Sequence, residues 1–381
     1  MKPVASMSSG VTLTSPSDLT LHAALPEGVY HVTLELDGGD EGSVAVVTAE
    51  SRRSMLQPIR LEKGERRQER FAVWLLTPTL ENGSIKLADR ERGIRQYDDQ
   101  LTLDIVGTHP AVASLKIEPA SDVRTIFLAG DSTVTDQPGV PWSSWGAMLP
   151  SYFDETVAVA NLASSGQALR SFRADGRLEK ILSLLQPDDY VLIQFGHNDQ
   201  KEKGEGIGAF ESYSDDLRQY VDDVRERGGK PILVTSVVRR RFDDDGKWYD
   251  TLGNFPEAVR RVAKEKDVPL VDLHAMSRRI VEALGEEDSK AAYVHFAAGT
   301  FAGQGEALSD DSHFSTYGGD VLARAVVEGL KDVAPDLAEH LREDVDGIDL
   351  DAPPPPSDWT WPEPGQAGHG DAERPVVPEG S

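Results

Sequence analysis

The 381-residue chain is predicted to be an α/β protein, a doubly wound parallel sheet preceded by a small β-sandwich. Two rhythms and the joint between them carry that expectation. Up to about residue 107, short alternating runs follow one another with no helical pattern between them, as in a sandwich. From residue 121 apolar runs alternate with amphipathic segments, the order that builds a parallel sheet with right-handed crossovers. Between them THPAVAS, near residues 108–114, reads as a connector. The expected domains are therefore a sandwich over 1–115, an α/β unit over 121–345 and a tail over 351–381.

Within the first part, Tyr30, Val32, Leu34 and Leu36 point one way while His31, Thr33 and Glu35 point the other, before the turn Gly38-Gly39-Asp40. Similar short runs recur at SVAVVTAE, RFAVWLL, GSIKLAD and DQLTLDIVG. In the second part the candidate strands are TIFLAG, VAVAN, YVLIQFG, PILVTSVV and VPLVDL. Phe210, Tyr213, Leu217, Val221 and Val224 recur at three- and four-residue steps, one face of a helix. Val321, Leu322, Ala325 and Val326 mark a last helix. The stretch from residue 351 is so rich in proline and glycine that it reads as a flexible acidic tail. Its Trp359 and Trp361 either dock on the body or stay solvated.

The formal charge of −26 argues against nucleic acid, whose phosphates such a surface repels. The tail holds six acids against Arg374, so most of the acidity belongs to the folded part. With no cysteine, disulfides, thiolate metal sites and cysteine nucleophiles are all excluded. No run approaches the roughly 18 apolar residues of a membrane span. The amino terminus lacks the apolar core of a signal peptide, so a cytoplasmic protein is expected as written, or a secreted one if a leader has been removed. No oligomeric state follows from the sequence.

Four polar clusters fall where a doubly wound sheet gathers its strand ends, the usual place for a ligand. They are Gly130-Asp131-Ser132, the segment Asn161 to Phe172, FGHNDQ at 195–200, and SDDSHFSTYGG at 309–319. Serine acylation needs a hydroxyl, a base, a group to orient the base, and donors for the developing oxyanion. Ser132 is the candidate nucleophile, His313 the base, and Asp310, three residues earlier, the orienting carboxylate from the same loop. The backbone N–H groups of Ser132 and Gly166 and the side-chain amide of Asn198 are the candidate oxyanion donors. No metal and no cofactor is expected, because His274 and His295 lack companions at ligand spacing. Taken singly, each cluster has an ordinary explanation as an Asx turn or a helix cap; their joint order on these elements is what points to a site.

GDSTVTD, NLASSG…RSF, QFGHNDQK and DDSHFSTYGG, in this order, resemble the four blocks of the SGNH (GDSL-type) hydrolases. The longer strings are similar to the rhamnogalacturonan acetylesterases, and the likeness covers roughly residues 121–332. The resemblance implies a flavodoxin-like fold, Ser132, Asp310 and His313 as a triad, and Ser132, Gly166 and Asn198 as an oxyanion hole. It also implies an acetylated polysaccharide or oligosaccharide as the substrate. Where many relatives carry arginine or another polar residue after the block-two glycine, this chain has Gln167.

Asp131, Gln167, His197, Arg239 and Arg240 are the candidate substrate contacts. The run Arg239-Arg240-Arg241 suits a uronate carboxylate, or else is compensated locally by Asp243, Asp244 and Asp245. The expected reaction is deacetylation of pectin through an acyl-enzyme. The alternatives are deacetylation of xylan or an oligosaccharide, and a short-chain lipase or esterase. A metal phosphoesterase and a non-catalytic carbohydrate-binding protein are more remote ones.

Overall fold

Strict alternation sets the first strands face to face. In Gly28–Asp37 every second residue from Tyr30 to Leu36 is buried and the residues between are partly exposed, as in a strand with one face on a core. It lies between Val112–Pro119 and Arg66–Leu75 in a three-stranded antiparallel sheet. A second antiparallel sheet runs Gly10–Leu13, Leu19–Ala24, Gln100–Thr108, Ser43–Ala49 and Arg53–Ser54, with Ile59–Leu61 also on Ser43–Ala49. Val32, Leu34, Val47, Phe71, Val73, Leu103 and Ile105 fill the space between the sheets. The computed structural model describes residues 10–13, 19–343, 345 and 347–362. The expected sandwich is there, and it continues past residue 115. The connector is shorter than expected, because Val112 already opens a strand whose Leu115 and Ile117 pack on the sandwich core.

The run RFAVWLL departs from a half-buried strand. Phe71, Val73 and Leu75 face the sandwich core, while Ala72, Trp74 and Leu76 belong to a core shared with Phe127, Ala158 and Ala160 of the second unit. Trp74 Nε1 also donates to Thr125 Oγ1 at 3.1 Å. Both faces are buried, which is why the sequence is apolar without interruption there.

The second unit is built on five parallel strands in the order Val157–Asn161, Arg124–Gly130, Tyr190–Gln194, Lys230–Val234, Leu270–Val271. In chain order that is 2-1-3-4-5, the flavodoxin-like arrangement. Its central strand splits its side chains by turns. Ile126 and Leu128 face the helices Leu273–Asp288 and Thr316–Val333. Phe127 and Ala129 face Leu169–Ala174, Arg177–Leu184, Ser214–Glu226 and Phe255–Lys266. Tyr213, Leu217, Val221 and Val224 are buried as the spacing predicts, but Phe210 is 42% exposed with the Arg261 guanidinium over its ring. It precedes the helix, which starts at Ser214.

Up to Pro362 the proline-rich stretch is laid against the body instead of hanging free. Trp359 meets Tyr317 edge-on at 5.6 Å and stacks on Trp361 at 5.7 Å. Its Nε1 donates to Asp320 Oδ2 at 3.0 Å, and Tyr317 donates to the Pro354 carbonyl at 2.6 Å. Two aromatic rings supply the apolar area that the prolines lack. The rest of the expected tail lies outside the described residues. Among the described residues no helix is long and apolar enough to cross a membrane.

Candidate active site

The first parallel strand ends at Gly130, where a Cβ would come within 2.5 Å of Val134 Cγ2 and 3.1 Å of the Gln194 carbonyl. A side chain there would have to displace Val134, so glycine lets that residue pack against the strand end. Asp131 Oδ1 accepts from the N–H (2.9 Å) and hydroxyl (2.7 Å) of Thr133, while the Asp131 carbonyl accepts from the N–H groups of Val134 and Thr135. These bonds close a turn that lifts Ser132 to the strand end. Gln137 Nε2 holds the Ser132 carbonyl at 2.8 Å.

His313 and Asp310 come from a strand, not from a loop as expected. Leu308–Phe314 pairs antiparallel with Tyr293–Phe296, and its register breaks: Val294 faces Asp310 but Tyr293 faces Phe314. The residues between bulge out of the ladder, a device for re-aiming side chains beside a site. His313 Nε2 lies 2.9 Å from Ser132 Oγ, and its Nδ1 lies 2.7 Å from Asp310 Oδ2. Asp310 Oδ1 accepts from the N–H groups of Ser312 (2.8 Å) and His313 (3.1 Å). Burial alone would raise this carboxyl. The imidazole bond and charge with the two backbone donors outweigh it and hold the group at about 2. Asp310 is therefore a carboxylate at any working pH, able to stabilise a proton on the ring.

Gly166 has φ +82, a left-handed conformation that glycine adopts freely. Among the described residues the N–H groups of Ser132 and Gly166 have no protein acceptor. Asn198 Nδ2 donates one hydrogen to the Gln167 carbonyl at 3.0 Å, and an amide nitrogen has a second to give. Leu162 and Ser164 donate to the carbonyls of Leu128 and Gly130 (3.1 Å each), fixing the second block against the first strand.

Four of the five expected substrate contacts are scaffold instead. Asp131 is fully buried beneath Ser132; burial raises its carboxyl, while Thr133 and the charges of His313 and Arg239 pull the other way. His197 is buried with Nε2 on the Val237 carbonyl at 2.8 Å. Burial and the neighbouring Arg239 charge hold its ring far below the usual histidine range, so it is neutral. Gln167 is buried, its Nε2 on Asp175 Oδ2 at 2.8 Å. Arg240 is spent on Ser289 Oγ, the Glu286 carbonyl and Asp311 Oδ1. Asp311 also takes Arg241 (2.9 Å) and His295 (2.8 Å), so Arg240 and Arg241 are compensated there and not by Asp243–Asp245. Arg239 is half-buried, with Nη1 on Thr251 Oγ1 at 3.2 Å and Nη2 on the His197 carbonyl at 3.4 Å.

Other contributors were not visible in the sequence. Asp136 is fully buried and takes Arg53 Nε at 2.9 Å and Asn161 Nδ2 at 2.8 Å. Arg53 reaches it from the sandwich. Arg177 is buried with Glu91 at 2.5 Å and also donates to the Leu162 carbonyl at 3.2 Å. Arg90, next to Glu91, donates to the Ser165 carbonyl. Partners about 75 to 86 residues apart carry no local pattern, although Asp136 sits inside the quoted GDSTVTD string.

A flavodoxin-like sheet with serine, imidazole and carboxylate in one hydrogen-bonded line past its strand ends has the layout of a serine hydrolase. The profile of the GDSL-like Lipase/Acylhydrolase family matches residues 128–321. The chain belongs to that family and is a carboxylic ester hydrolase. It is 41% identical over 218 residues to the rhamnogalacturonan acetylesterase RhgT of Bacillus subtilis, covering 57% of this chain and 93% of that protein. The esterase YxiM of Bacillus subtilis is 29% identical over 330 residues, 83% of this chain and 75% of that one. The crystal structure of that YxiM protein aligns with TM-score 0.49 at 27% identity, over 82% of this chain and 80% of the other.

Proposed function

We propose that this chain is a serine esterase that removes acetyl groups from carbohydrate, with acetylated rhamnogalacturonan the foremost substrate, through an acyl-enzyme on Ser132. The observation that carries the reading is the line from Ser132 Oγ through His313, 2.9 Å away, to Asp310 at 2.7 Å. The similarity to RhgT supports the choice of substrate.

In this mechanism His313 Nε2 takes the proton of Ser132 as Oγ attacks the acetyl carbonyl. The carbonyl oxygen becomes an oxyanion, which the N–H groups of Ser132 and Gly166 and the Asn198 amide receive. The C–O bond to the sugar breaks and the sugar oxygen leaves with the proton from His313. Water then gives its proton to the same nitrogen and attacks the acyl carbonyl; the bond to Ser132 Oγ breaks, Oγ takes the proton back from His313, and acetate leaves. Asp310 holds the ring so that Nε2 faces the serine. The attack needs a free lone pair on Nε2, so the reacting imidazole is the neutral one.

The test is acetate release from acetylated rhamnogalacturonan, acetylated xylan and small sugar esters by wild type and Ser132→Ala. Ser132→Ala is expected to lose about a thousandfold or more in kcat on every ester. Unchanged turnover in that variant removes the serine mechanism. A kcat/KM on xylan above that on rhamnogalacturonan removes the substrate assignment.

A further inference from the structure

We infer that Arg90, a residue of the front unit, is a positioning residue for the oxyanion hole of the catalytic unit. The inference rests on the proposed role of Gly166. The Ser165–Gly166 bond is not among the cis peptides of the chain, and across a trans peptide the C=O and the N–H point in opposite directions. Arg90 Nη2 donates to the Ser165 oxygen. A guanidinium on that oxygen therefore aims the Gly166 N–H away from itself, on the far side of the same plane. It also draws electron density along the amide toward the oxygen, which makes the N–H a stronger donor, as in any hydrogen-bond chain.

The grip is built, not incidental. Arg90 sits in the short turn Asp89–Glu91, and Glu91 Oε2 accepts from the Ala88 N–H at 2.8 Å. The same carboxylate oxygen is clamped by the buried Arg177, whose other nitrogen holds the Leu162 carbonyl. Gln96 Nε2 donates to the Asn161 carbonyl at 3.2 Å. The turn that carries Arg90 is thus bolted to Asn161 and Leu162, the start of the segment that carries Gly166. Arg90, Gln137, Ser164 and Ser165 line one cleft, and Gln137 holds the Ser132 carbonyl at 2.8 Å. One charge at the cleft wall thus reaches the peptide that carries the Gly166 N–H.

Arg90→Ala and Arg90→Lys are compared with wild type on p-nitrophenyl acetate, with a boronic acid as the mimic of the tetrahedral oxyanion. Arg92→Ala, at an exposed arginine two residues on, is the control. Removing a whole oxyanion donor costs about 10²–10³ in kcat, so misaiming one is expected to lower kcat by about 10- to 100-fold in Arg90→Ala, with KM within about threefold. The boronate inhibition constant should rise by the same factor as kcat falls, and Arg90→Lys should recover part of both. Arg92→Ala should match wild type. A kcat within twofold of wild type, a kcat loss without weaker boronate binding, or a lysine variant no better than alanine overturns the inference. If Arg90→Ala does not fold, the lysine variant decides alone: a kcat loss matched by weaker boronate binding supports the inference, and a wild-type boronate constant overturns it. Wild-type turnover by Ser132→Ala would instead overturn the serine mechanism beneath it.

Discussion

Arg53 Nε and Asp136 Oδ2 meet at 2.9 Å with neither side chain exposed. One belongs to the sandwich and the other to the loop that carries Ser132. Asn161 Nδ2 completes the junction, donating to Asp136 Oδ1 at 2.8 Å and the Val134 carbonyl at 2.7 Å. The geometry of the nucleophile thus depends on a cation supplied from the other half of the chain.

Removing that cation alone strands a buried carboxylate. Arg53→Met is expected to lose about 3–5 kcal/mol of stability, whereas Arg53→Met with Asp136→Asn should lose much less. Denaturant midpoints of the two variants check this. Equal losses would mean that the pair contributes only through its packing.

Asp310 is the acid-side reporter. Its folded pKa of about 2 lies below the unfolded carboxylate value near 4, so the stability it adds is complete above about pH 4. That stability disappears as pH falls through about 2. Asp310→Asn should therefore be less stable than wild type at pH 7 and equal to it near pH 2, by thermal unfolding across that range. With the imidazole no longer held by an anion, kcat on p-nitrophenyl acetate should fall by about 10³–10⁴.

Asp199 has the opposite sign. Burial pushes its carboxyl up to about 7, against the backbone donor of Leu169 at 2.9 Å. A folded value above the unfolded one favours the folded state at low pH, and that advantage is lost as pH climbs from about 4 through 7. Wild type should thus lose stability relative to Asp199→Asn over this interval. A difference that stays flat from pH 4 to 8 would show that Asp199 is ionised throughout.

The positions of the strands and of the four strand-end clusters were legible because both are local patterns. Apolar runs such as VAVAN give Val157–Asn161 directly, and GDS and DxxH mark their own positions. The bulge that frees His313 was not legible, since register with Tyr293–Phe296 is a property of two strands and not of either alone. The substrate contacts misled for a related reason. Polar residues beside a strand end look available, yet His197, Gln167 and Arg240 spend their hydrogens on Val237, Asp175 and Asp311. The docked tryptophans were an open choice, because composition reports the flexibility of a proline-rich stretch but not the surface it finds.

The strand Arg66–Leu75 has a practical consequence for anyone trimming this enzyme. Phe71 and Val73 face one core and Ala72 and Trp74 the other, so no cut on either side of it yields two water-compatible halves. A fragment starting at residue 121 would bare the patch that Trp74 covers and forfeit Arg53 as well. In this chain the front region is thus part of the catalytic unit's core, and a unit excised from it would have to carry that region along.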